Sequence, residues 1–179
     1  MKKVFGYDEL ARVWVSQTQD EGRSPGERMY FTGDTVYSYG PHFPIATIFD
    51  APNGEKVVLF TTRTHSNTTR THCAAIESAL SRSRYRVVYC AVIKPPVHET
   101  NLADFYAAMQ QVADKHANAR KPQLYKADIL HQCRLAREYC EVMCLPVPAW
   151  ALLPDNIEAG KPLITAMKIT QEHARLYSA

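Results

Sequence analysis

Leu10, Val13, Trp14 and Gln17 fall at i, i+3, i+4 and i+7, a one-faced spacing that predicts a helix over residues 7–19. Asp8 and Glu9 occupy its first turn, where the helix dipole favours acids. Turn chemistry follows from Asp20 to Arg28, with two glycines and a proline. The pattern then becomes short, aromatic and β-branched. Met29–Thr32, Thr35–Tyr39 and Phe43–Phe49 read as strands, separated by Gly33-Asp34 and Gly40-Pro41. Ala51-Pro52-Asn53-Gly54 is the strongest turn signal in the chain. It predicts that Phe43–Phe49 folds back on Lys56–Thr62 as an antiparallel hairpin, because Asn-Gly readily takes positive φ. Tyr39-Gly40-Pro41-His42 predicts a second tight turn, with Gly40 at or near positive φ.

Beyond the hairpin the period changes. Thr68 or Thr69 is expected to cap a helix running to about Ser81, with Cys73, Ile76 and Leu80 as its apolar stripe. Tyr85–Ile93 is nearly continuous and β-rich, so it reads as a buried strand ended by Lys94-Pro95-Pro96. Asn101 is expected to cap a helix from Leu102 to about His116, with Phe105, Met109, Val112 and Ala113 on one face. After a break at Lys121-Pro122, Leu124–Leu145 reads as the longest helix, stopped by Pro146 and Pro148. A terminal helix is expected near Thr165–Tyr177. These elements predict the α+β class: an antiparallel sheet of about four to five strands with helices packed mainly on one face. They are read as one domain over residues 1–179, with a helical C-terminal portion at about 101–179.

Composition narrows the function classes. A chain that is 46% hydrophobic and 22% charged is ordinary globular material, which excludes a disordered chain. No apolar run approaches the ~20 residues of a membrane helix, so no membrane role is expected. Lys2 and Lys3 have no apolar segment behind them, so no secretory signal is read and the expected location is cytoplasmic. The net charge of +3 conceals an asymmetry. Residues 56–94 carry seven Lys and Arg against Glu77 alone, whereas residues 1–55 carry five against eight acids. A basic middle third suits a polyanionic partner.

The chemistry-bearing residues then need sorting. Cys133, Cys140 and Cys144 lie at i, i+7 and i+11 of a predicted helix, about 16 Å apart end to end at 1.5 Å per residue. That spread closes no tetrahedral site, so core packing is expected, with no metal and no cofactor. His98, His116, His131 and His173 have no supporting constellation, and the chain lacks H-E-x-x-H, Walker, G-x-G-x-x-G and G-x-S-x-G motifs. Two segments remain: Tyr37–Ala46 (YSYGPHFPIA) and Thr61–His72 (TTRTHSNTTRTH). Hairpin pairing brings them side by side. The second holds seven hydroxyl residues, two arginines and two histidines without an acid, the donor set that a phosphate needs at a helix start. Capping absorbs one or two hydroxyls and leaves the arginines unexplained.

The same two segments resemble a family of small proteins and domains of bacteriophages and their bacterial hosts. Its pattern is Tyr-Ser-Tyr-Gly-x-His-Phe-Pro-Ile-Ala followed by Ser-x-Thr-Thr-x-x-His, matched here at 37–46 and 66–72. An upstream helix with a Trp and a Gln is similar, matched by Trp14 and Gln17, and the chain departs at His65, where the family more often has tyrosine. The resemblance implies a phage-type origin, the host-cell cytoplasm and an α+β core at about 10–93. It assigns no activity.

The first functional expectation is therefore a phage-type accessory protein that binds nucleic acid or another phosphate-bearing ligand. Arg63, Ser66, Thr68, Thr69, Arg70, Arg82, Arg84 and Arg86 would contact phosphates, with Tyr37 and Tyr39 stacking on bases. One alternative is an anti-defence protein that binds a host or phage factor without catalysis. Another is a metal-independent phosphodiesterase or nuclease with His42 and His72 as the acid–base pair.

Overall fold

The structure, a computed structural model, describes residues 2–63, 66–117, 121, 123–153, 156–159, 163, 165 and 166. It divides the chain into two compact units, Met1–Val97 and His98–Ala179. Each is considered by itself.

The first unit is α+β. Helix α1 (Tyr7–Ser16) leads into strands β1 (Glu21–Arg23), β2 (Met29–Thr32), β3 (Thr35–Ser38), β4 (Pro44–Asp50) and β5 (Lys56–Thr61). Helix α2 (Asn67–Leu80) and strand β6 (Arg86–Cys90) complete it. The strands form one six-stranded sheet in sequence order. Pairings β1 to β5 are antiparallel, and β5–β6 is parallel.

Two corrections to the expected sheet follow. It is mixed rather than antiparallel, because the 14-residue α2 carries the chain back along the sheet and returns β6 in the direction of β5. It has six strands because Glu21–Arg23, hidden in a polar, turn-like stretch, pairs with β2 in the register Gly22↔Phe31. That pairing rests on backbone groups and on a missing side chain. A Cβ on Gly22 would stand 2.6 Å from a Phe31 ring carbon and 3.0 Å from Leu10 Cδ1.

The core of this unit joins α1 (Leu10, Trp14), α2 (Cys73, Ile76, Leu80) and the sheet (Phe31, Val36, Ala46, Ile48, Val58, Phe60). Both helices thus use one face of the sheet. In β4 and β5 the buried positions are consecutive, Ile45–Ile48 and Val57–Thr61, which accounts for the nearly unbroken apolar run Val57-Val58-Leu59-Phe60. The β4–β5 hairpin closes at Asn53-Gly54: the Ala51 N–H donates to Glu55 O at 2.9 Å, and Gly54 takes φ +86°.

Boundaries shift by local chemistry. Helix α1 ends at Ser16, because Gln17 turns left-handed (φ 49°) and its side chain donates back to Trp14 O at 2.7 Å. The α2 cap is Ser66, not Thr68 or Thr69: its Oγ accepts from the Thr69 N–H at 3.1 Å.

The second unit holds α3 (His98–Ala117) and α4 (Gln123–Val142), packed on each other, and a 3-10 turn at Ala149–Leu152. Asn101 lies inside α3 rather than capping it. It is buried, and its Nδ2 donates to Tyr139 Oη at 2.9 Å, so the helix starts three residues earlier. Cys133 and Cys140 are buried as expected of core thiols, but Cys144 lies beyond the end of α4 and is exposed. The expected helix at Thr165–Tyr177 falls almost wholly outside the described residues, as does His65.

Candidate functional site

The parallel β5–α2–β6 crossover places the C-terminal ends of two strands and the start of α2 at one end of the first unit. The β3–β4 turn reaches the same end. Between them lies an open cleft of about 460 Å³. Its walls come from Ser38, Tyr39 and His42–Pro44 at the turn, Thr61 at the end of β5 and Arg63 beyond it, Ser66 and Thr69 at the α2 cap, and Ala91–Lys94 after β6. None of the described residues lining it is acidic.

Of the residues singled out in the sequence, the cleft gathers Tyr39, His42, Arg63, Ser66 and Thr69. It adds Lys94, which the sequence marks only as part of a basic segment and as the end of a strand. Lys94 Nζ donates to Thr35 Oγ1 at 2.7 Å, and Thr35 Oγ1 in turn pairs with Thr47 Oγ1 at 2.8 Å inside the sheet. This bond ties the Lys94 ammonium to a buried hydroxyl pair of the sheet, while Lys94 itself is one of the residues lining the cleft. Among the described residues no carboxylate lies within ion-pair distance of it.

Most of the hydroxyls have structural roles. Ser66 Oγ caps α2 and bonds with Thr69 Oγ1 at 3.1 Å. Thr61 Oγ1 donates to Ala91 O at 3.3 Å and accepts from the Arg63 N–H at 3.2 Å. These bonds shape the loop that carries Arg63. What the site offers a ligand is its positive charge, Arg63 and Lys94, beside the first turn of α2, where backbone N–H groups have no intrahelical acceptor.

The other predicted residues stand apart. Thr68 and Arg70 are on α2 but do not line the cleft. Arg82 borders a separate groove with Asp8 and Arg12. Arg84 is exposed in the turn before β6, and Arg86 donates to Glu55 Oε2 at 3.4 Å. Tyr37 pairs across the β2–β3 ladder and stacks on Tyr30, centroids 5.1 Å apart at 18°. The basic segment therefore does not form one continuous surface.

The two histidines also have different surroundings. His42 is exposed on the cleft wall. His72 is fully buried, with Nδ1 2.8 Å from Ser38 Oγ and its ring edge-on to Tyr7 at 4.7 Å. Burial, followed by the nearby Arg28 charge, lowers its pKa below the ordinary histidine value, so it is held neutral. The His72–Ser38 pair locks α2 to β3 beneath the turn. In that turn Gly40 has positive φ as expected (+157°), a backbone conformation that side chains rarely adopt, and Tyr39 before it is left-handed (φ +62°). Space adds to the need for glycine at position 40: a Cβ there would also meet the His42 ring at 2.9 Å. Three backbone bonds hold the loop, Tyr39 N–H to Arg28 O at 2.8 Å, Ser38 N–H to Phe43 O at 3.0 Å and Phe43 N–H to Gly40 O at 3.2 Å.

Among the described residues no group of three or more His, Cys, Asp or Glu is placed to hold a metal ion. No family model matches the chain, and neither a curated protein nor a solved structure matches it.

Proposed function

We propose that the first unit is a binding module for a phosphate-bearing ligand, nucleic acid or nucleotide, and that the β5–α2–β6 cleft is its site. The observation that carries this reading is that Arg63, Lys94 and the capped start of α2 line one cleft with no acid among its described lining residues. A phosphate is stabilised by cations and by exposed N–H donors together. The phage-type origin implied by YSYGPHFPIA belongs to the same proposal, as an accessory protein of the host cytoplasm. Binding is favoured over acid–base catalysis because a histidine pair must reach one ligand from both sides, and His72 is sealed under Tyr39 and Ser38.

The test is titration with inorganic phosphate, ribose 5-phosphate and a 5′-phosphorylated single-stranded oligonucleotide at two salt concentrations. Arg63→Ala and Lys94→Ala are each expected to weaken binding about tenfold and to lower the salt slope by about one unit for each phosphate interaction removed. Arg82→Ala, outside the cleft, is expected to leave it unchanged. Failure of every probe at low salt, the oligonucleotide below about 100 μM and the small phosphates below about 1 mM, would overturn the reading and turn attention to a protein partner, as an anti-defence inhibitor would require.

A further inference from the structure

The cleft has a mixed lining: Arg63, Lys94, Ser66 and Thr69 are cationic or polar, while Phe43, Pro44, Ala91, Val92 and Ile93 are apolar. At its rim stands Tyr39, exposed over 51% of its surface. Its backbone is held left-handed by the Tyr39 N–H bond to Arg28 O, and its ring rests against the buried His72 ring at 5.8 Å. The ring therefore touches His72 and is otherwise half exposed, unlike Tyr37, whose ring stacks on Tyr30.

A lone phosphate or a sugar phosphate would satisfy the cations and leave the half-buried Phe43, Pro44 and Val92 and the Tyr39 ring in water. A ligand that also covers these surfaces gains their burial. Its body must be flat to use an aromatic face, and small enough for about 460 Å³, a volume within the range of small-ligand pockets. A duplex does not fit this description, since its bases are paired and stacked internally. We propose that the phosphate-bearing ligand of this cleft is a nucleotide, with its phosphate held by the cationic lining residues and its base stacked on the Tyr39 ring. The proposal rests on the phosphate reading above and adds the base. The same chemistry is presented by a free mononucleotide and by the terminal nucleotide of a single strand.

Calorimetric titration of the full chain with adenosine 5′-monophosphate, thymidine 5′-monophosphate, ribose 5-phosphate and a 5′-phosphorylated oligo-dT tests this. Both nucleotides are expected to bind about tenfold or more tighter than ribose 5-phosphate, the usual worth of one base–aromatic stack. In Tyr39→Leu, nucleotide affinity is expected to fall to the level that ribose 5-phosphate shows with the unaltered protein, and Tyr39→Trp is expected to restore it. Leucine keeps the apolar bulk, and unchanged circular dichroism with an unchanged melting temperature confirms that the variant folds. Oligo-dT binding tighter than both mononucleotides identifies a strand end as the source; equal or weaker binding identifies a free nucleotide. If ribose 5-phosphate binds as tightly as the nucleotides, or Tyr39→Leu changes nothing, the stacking proposal falls while the phosphate site stands. If no probe binds, or Lys94→Ala leaves every affinity unaltered, the phosphate reading itself falls.

Discussion

At the scale of single residues, His72 shows how burial fixes a protonation state and what that costs. Its ring is fully buried against Tyr7, Tyr39 and Ser38, and the Arg28 charge adds to the penalty on a second positive charge. The folded-state pKa is lowered, so the unfolded chain takes up this proton more readily than the folded one. The neutral ring's contribution to stability is therefore complete above about pH 6.5, the ordinary histidine value, and is lost as the pH falls through the lower folded value. Melting temperatures measured from pH 8 to pH 5 are expected to fall on the acid side, and to fall less in His72→Gln. A His72→Gln profile parallel to that of the unaltered protein would show that His72 is not the group responsible. The cysteines follow the same physics. Burial raises the thiol pKa of Cys73 to about 11 and of Cys90 to about 12, and pushes that of Cys140 upward. Cys144 alone among the five is exposed. A thiol reagent at pH 8 is expected to label one site, Cys144, in the native protein and all five after unfolding. Fast native labelling of Cys73 or Cys90 would contradict the described core.

At the scale of elements, the strands that are plain in the sequence are those whose own side chains carry the pattern. Val57-Val58-Leu59-Phe60 and the Asn53-Gly54 turn define the β4–β5 hairpin almost without help. Strand β1 is illegible because Glu21, Gly22 and Arg23 carry no apolar signal: they join the sheet by backbone pairing, and Gly22 lets Phe31 and Leu10 close over it. Sequence alone misplaces the start of α2 within Ser66–Thr69 because several of these residues can cap, and only the geometry selects Ser66. The same propensity makes Asn101 look like a cap, although its amide is committed to Tyr139 Oη. The role of Gly22 gives this scale its prediction. Gly22→Ala puts a methyl group into the Phe31 ring, so the chain is expected to lose about 1–3 kcal/mol of stability in denaturant titration, as over-packed cores do. An unchanged midpoint would mean that β1 is not seated against Phe31 and Leu10 as described.

At the scale of the whole first unit, the site is assembled from parts far apart in the chain, and this is where the sequence stops being readable. The charge asymmetry of residues 56–94 points to the third of the chain that supplies Arg63 and Lys94 to the cleft lining. It does not separate Arg63 and Lys94, which reach the cleft, from Arg82, Arg84 and Arg86, which do not. That separation depends on the Lys94–Thr35 bond, 59 residues apart in sequence, and the His72–Ser38 bond, 34 apart. Both need the mixed sheet to exist first. The central claim is that this assembled cleft binds phosphate, and its most direct test is an amide-resolved NMR titration with inorganic phosphate at low salt. Saturable shifts are expected at Arg63, Asn67, Thr68, Thr69 and Lys94, with a dissociation constant of about 1 mM or tighter, and they should weaken as salt is added. The account is contradicted if these amides stay still, or if saturable shifts centre instead on Arg82, Arg84 and Arg86.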